Sequence, residues 1–171
     1  MERLGLDYDI SACVVPVDFT TAINTGLRVC LRDCEGVDFV VMSAVGTAGD
    51  DMVIDVQQCN VATGGVPKDL DVITHMFYKS AATLAGSELW VEQTQVIASE
   101  IAVTALYPIA EEQDILVLHV EAADMDFAGG YYWAFLTIAD TGTNPQLGCV
   151  IAIRTGLLVP RKPSNLRNPQ A

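Results

Sequence analysis

Apolar residues in this chain come in short runs parted by clusters of Gly, Pro, Asn and Asp, and within most runs they alternate with polar positions. Met52, Ile54 and Val56 interleave with Val53, Asp55 and Gln57, which predicts a strand with one buried and one mainly wet face. Leu27 to Arg32 alternates in the same way and predicts a half-exposed strand. The run 37–45, with Phe39, Val40, Val41 and Met42, is apolar on both sides. Cys13 to Val17 contains Pro16, which has no N–H to give to a ladder, so this strand is expected at a sheet edge. Further runs lie at 72–80, 89–96, 101–106 and 115–120.

The clearest span is 121–154. In its first run Tyr131, Trp133 and Phe135 alternate with Tyr132, Ala134 and Leu136, as in a strand covered on both faces; the second run, 147–153, carries no charge. Thr-Gly-Thr-Asn-Pro at 141–145 supplies a reversal, so the two are expected to be adjacent central strands. Counting runs gives about ten strands at intervals of roughly 8–15 residues, with no sustained helical period. The fold expected is all-β: a single antiparallel β-sandwich of jelly-roll type over 1–159, with an N-terminal segment 1–10 and an extended, Pro-rich, basic arm over 160–171.

Charge sharpens this division. The net charge is −13, but 154–171 hold Arg154, Arg161, Lys162 and Arg167 and no acid, leaving 22 acids against five bases in the remainder. An acidic body of this kind excludes nucleic acid as a partner, because phosphate binding relies on Lys and Arg. Mean hydropathy is +0.34, yet no apolar run approaches a spanning helix, so no membrane partner is expected. The first thirty residues place Asp7, Asp9 and Asp18 among apolar positions and lack the layout of a secretory leader, which points to folding in a cytoplasm. Cys13, Cys30, Cys34, Cys59 and Cys149 have no C-x-x-C spacing and read as free thiols buried in strands, with a zinc site shared with His75 or His119 as the alternative.

Candidate chemistry is sparse. Asp124 and Asp126 near Glu121 offer oxygens of the kind calcium prefers, without the distal Glu of an EF-hand; two acids at a strand entrance explain them as well. His75 and His119 fall inside expected strands with no nucleophile motif and read as structural. Glu111 and Glu112 point to opposite sides of an extended chain and read as a solvated loop. Trp90 is the aromatic best placed to be exposed, which leaves a carbohydrate-binding module as an alternative from another class. No catalytic residue, cofactor or metal is assigned.

Several short motifs span nearly the whole chain: Pro16-Val17-Asp18 with Asn24-Thr25-Gly26; Gly46-Thr47-Ala48-Gly49-Asp50-Asp51 before Val56-Gln57-Gln58; Gly64-Gly65 with Lys68-Asp69-Leu70. They continue with Leu89-Trp90 before Gln93-Thr94-Gln95, Val120 to Phe127, and Ala139-Asp140-Thr141-Gly142 before Gln146-Leu147-Gly148. In these the chain resembles a family of small structural proteins encoded in the virion gene clusters of tailed bacteriophages. It departs from that pattern at Met125 and Phe127, where aliphatic residues are usual. The resemblance implies a non-enzymatic virion component, assembled in the host cytoplasm: a capsid cement or decoration protein that binds the outer shell. Its implied partners are the major capsid protein and further copies of itself, a trimer being one form of such a homo-oligomer. A tail, collar or head-fibre component is the nearest rival. The expected contact residues are Arg154, Pro160, Arg161, Lys162, Pro163, Leu166 and Arg167 in the arm, with Arg3, Leu4, Leu6 and Tyr8 at the N-terminal end.

Overall fold

Alternation decides the faces of two neighbouring central strands. Along Gly36–Ser43, Val37, Phe39, Val41 and Ser43 are buried; along Gln113–Glu121, Asp114, Leu116, Leu118 and Val120 are, and the residues between them lie half-buried or exposed. These strands pair with each other, and their buried positions form one wall of the core. The structure, a computed structural model, describes residues 7–20, 22–50, 52–102, 112–139 and 142–158.

In chain order the strands are β1 (Asp9–Asp18), β2 (Asn24–Thr25), β3 (Val29–Cys30), β4 (Gly36–Ser43), β5 (Val53–Cys59) and β6 (Lys68–Asp69). There follow β7 (Ile73–Ala81), β8 (Val91–Ala98), β9 (Glu100–Ala102), β10 (Gln113–Glu121), a 3-10 turn (Ala122–Asp124), β11 (Trp133–Ala139) and β12 (Leu147–Thr155). Every pairing is antiparallel. The first sheet runs β1-β12-β4-β10-β7-β8; the second runs β2-β11-β5-β6, with β3 also on β11 and β9 on β5. One cluster, joining Phe39, Leu116 and Val150 of the first sheet to Ile54, Leu136 and Ile138 of the second, fills the space between them. The all-β, antiparallel sandwich expected from the sequence is the fold observed.

Two local expectations are corrected. β11 and β12 are not neighbours: β11 is central in the second sheet and β12 in the first. Each is apolar enough to take an interior position in its own sheet. Ala134, Leu136 and Ile138 of β11 face the shared core, while Trp133 and Phe135 form a second cluster with Cys30 and Cys59, packed by Ala62 and Tyr132.

The segment 27–32 is likewise not a half-exposed strand. Only Val29 and Cys30 pair, and both are buried, because the segment is wedged between the two clusters. Its arginines are laid over aromatic rings, with the Arg28 guanidinium 5.0 Å from the Phe135 ring centre and that of Arg32 4.0 Å from Tyr132.

β1 is an edge strand, as its proline requires, and its register slips between Val14 and Val17, around Pro16. Gly148 lets β12 close over Phe19: a Cβ there would run into the Phe19 ring, which is fully buried.

Candidate functional site: the outer face and free edge of the first sheet

The side of the first sheet turned away from the core is apolar across four strands. Register places Ile151, Val40, Val117 and Phe77 in one row across β12, β4, β10 and β7, with Ala12 of β1 beyond Ile151. A second row runs Cys149, Met42, Ile115 and Lys79. Phe77 and Met42 are 39% and 40% exposed, and the other apolar members of these rows except Ala12 are half-buried. Exposed sheet faces usually alternate polar outward, so this band is apolar where solvent contact favours polar residues.

A third row closes the band with polar groups: Ile10, Ile153, Asp38 and His119. There a groove of 410 Å³ opens, lined among others by Asp38, Thr74, His75, His119, Glu121 and Asp124. His119 Nδ1 lies 2.6 Å from Asp38 Oδ1. That hydrogen bond raises the His119 pKa above its ordinary value; partial burial opposes the rise, and the charges of Asp38, Glu121 and Asp124 add to it. The Thr74 hydroxyl lies 3.0 Å from His75 Nδ1 and is engaged by that ring rather than by His119. The groove therefore holds a histidine with an orienting carboxylate, which reads chemically as an ion pair tying β10 to β4. Sequence reasoning missed the partnership because the two residues are 81 positions apart and meet only through strand register.

At the opposite end of the sheet from β1, β8 and the residues before it project apolar side chains into solvent. Leu89 is 84% exposed, Trp90 52%, Val96 88% and Ile97 59%. Trp90 is exposed as the sequence suggested, but the Lys79 ammonium stands 4.9 Å from its ring centre, so one face of the ring already has a partner.

The contact residues expected from the sequence fare differently from one another. Arg154 is corrected. It is 2% exposed; its Nε donates to Asp9 Oδ2 at 3.1 Å, its Nη2 also donates to Asp9, and its Nη1 donates to the Cys30 carbonyl at 3.2 Å. It therefore joins β12 to β1 inside the fold and is closed to another molecule. Packing also continues past it, with Leu157 against the core and the Leu158 N–H donating to the Asp33 carbonyl. Tyr8 is half-buried just before β1. Arg3, Leu4, Leu6, Pro160, Arg161, Lys162, Pro163, Leu166 and Arg167 lie outside the described residues, as does Glu111.

Of the acids considered for calcium, Asp126 is engaged in a turn. Asp126 accepts from Lys68 Nζ at 3.0 Å and from the Gly129 N–H at 2.9 Å, which together hold its pKa below the usual range. Glu112 accepts from the Ser80 hydroxyl. Of the cysteines, Cys13, Cys30, Cys34 and Cys59 are buried and Cys149 is half-buried. Burial pushes the Cys13 and Cys34 thiols up to about 11. Among the described residues no group of three His, Cys, Asp or Glu side chains is arranged to hold a metal ion.

No protein family profile matches the chain, and no curated protein matches it. The solved exoplasmic/lumenal domain of VIP36, in its Ca2+/Man3GlcNAc-bound form, aligns over 96% of this chain and 89% of that one. The identity is 12% and the TM-score 0.32, a superposition too loose to carry an argument about either chain's role.

Proposed function

We propose that this chain is a non-enzymatic structural protein that works by joining other proteins, and that its setting is the virion of a tailed bacteriophage. There it acts as a capsid cement or decoration protein, bound to the major capsid protein on the outer shell and reinforcing contacts between shell subunits. The observation that carries this reading is the apolar band on the outer face of the first sheet, continued by the exposed Leu89, Val96 and Ile97 at its free end. On a chain of net charge −13, whose self-repulsion favours solubility, such a band is of most use when it is covered by another protein. The phage setting rests on the motif resemblance. The basic stretch with Arg161, Lys162 and Arg167 supports an attachment arm, since it can lie on an acidic neighbour while its prolines limit the entropy lost on ordering.

Removing residues 160–171 tests the reading. The truncated protein is expected to keep its circular dichroism spectrum and unfolding midpoint and to lose co-sedimentation with purified capsid shells. Undiminished binding to shells would overturn the arm's role, and imaging that located the protein on tail or collar would move it to that structure. Binding of the intact protein to a glycan array would instead favour a carbohydrate-binding module built on Trp90.

A further inference from the structure

We propose that β8 is the contact through which two copies of this chain join, edge to edge and antiparallel across a twofold axis, merging their first sheets into one continuous sheet. Among the described residues β8 pairs with β7 alone, so one flank of an eight-residue strand presents backbone donors and acceptors without a strand partner. Such a flank is a template for another strand unless something blunts it.

The remaining sheet edges are blunted. β1 carries Pro16 and two register shifts. In the second sheet the outer strands are fragments: β2, β3 and β6 have two residues each and β9 has three. β8 carries one register shift against β7, between Thr94 and Ala98, but it is a full-length strand without a proline. It contains no Pro, Lys or Arg, and it displays Val96 and Ile97 at 88% and 59% exposure. Among the described residues β8 is thus the one sheet edge that combines full strand length with the absence of proline and basic side chains, the combination expected of an edge that is used.

A second copy fits this edge better than a partner selected by charge. Glu92 is the one ionisable side chain in β8, so two chains of net charge −13 meet here where they repel least. An antiparallel strand is also its own complement under a twofold rotation. With the axis at Thr94, Glu92 does not fall opposite its own equivalent, and like charges are kept apart. This inference specifies the self-association in the proposed function and rests on that part of it, not on the phage setting.

The test uses the full chain in sedimentation equilibrium over a range of concentrations. The wild type is expected to form a two-copy species. Thr94 is exposed, so replacing it leaves the fold alone but sets two like charges face to face at the axis. Thr94→Lys and Thr94→Glu are each expected to weaken the dimer by about tenfold or more, and mixing them should restore a heterodimer, which no folding defect could mimic. A wild type that stays monomeric throughout, or a dimer indifferent to both substitutions, overturns the proposal. So does a monomer whose β8 amides resist hydrogen exchange on both flanks, because another segment of the same chain would then hold the edge. Shell binding is measured separately: its loss with the dimer intact counts against the cement role and leaves this contact standing.

Discussion

Asp114 sits fully buried on β10, where the Ser43 hydroxyl donates to Oδ1 and Oδ2 has no hydrogen-bond partner among the described residues. Burial raises its pKa from 3.8 to about 7, with the Ser43 hydrogen bond pulling the other way. The folded protein thus holds a proton on Asp114 at pH values where the unfolded chain has lost it, so the stability tied to this group declines as pH rises from 3.8 to about 7. Asp114→Asn is expected to remove that part of the slope: urea midpoints of variant and wild type should diverge between pH 5 and 8, the wild type falling further. Parallel profiles would show that Asp114 is ionised without cost. His119 acts in the same direction. Its raised pKa gives stability that is complete below its ordinary value and is lost as pH climbs through the raised one. Neither effect was legible in the sequence. Asp114 stands in an alternating run like any solvated acid, and only the pairing of β10 with β4 places it on the inward face beside Ser43.

At the scale of elements, the contact between β12 and the turn after β1 depends on the absence of a side chain at Gly148. A Cβ there would strike the Phe19 ring and crowd the Met42 carbonyl. Gly148→Ala is therefore expected to cost about 1–3 kcal/mol in denaturant unfolding, from forced displacement of a packed core ring. Phe19→Leu in the same chain should recover part of that loss, and equal losses with and without it would place the strain elsewhere. Period-two alternation gave the faces of β5, and Pro16 marked β1 as an edge. What alternation could not give is partnership. β11 and β12 look like a hairpin because both are apolar and turn residues lie between them, but a strand with apolar residues on both faces fits the interior of any sheet. In 27–32 the alternation suggests one wet side, whereas the polar positions are guanidinium groups standing over aromatic rings. Long arginine stems make such a face apolar in practice.

For the whole molecule, the main cluster takes residues from both sheets, so neither sheet keeps a closed core without the other. Unfolding is expected to be a single transition. In a Trp90→Phe variant the fluorescence of Trp133, 8% exposed on the second sheet, should trace the same urea curve as far-ultraviolet circular dichroism; two separated curves would mean that the sheets unfold independently. The fold class could be read from the chain because strand spacing and the absence of helical period are whole-chain properties. The candidate surface could be read only in part: the sequence points to exposure at Trp90, but the apolar band of the first sheet emerges from register between strands far apart in sequence.

The place of β12 has a consequence for the order in which the protein can be built. β12 lies between β1 and β4 in the first sheet and is the last of the described strands in the chain. During synthesis, β1 and β4 leave the ribosome early and must wait for the strand that joins them, while the apolar flank of β4 stays open. Native pairing of β1, and of the side of β4 turned toward it, is thus postponed until translation has passed residue 155, and a nascent chain halted before then would carry an unfilled slot between them, ready to capture a β12 from a neighbouring ribosome.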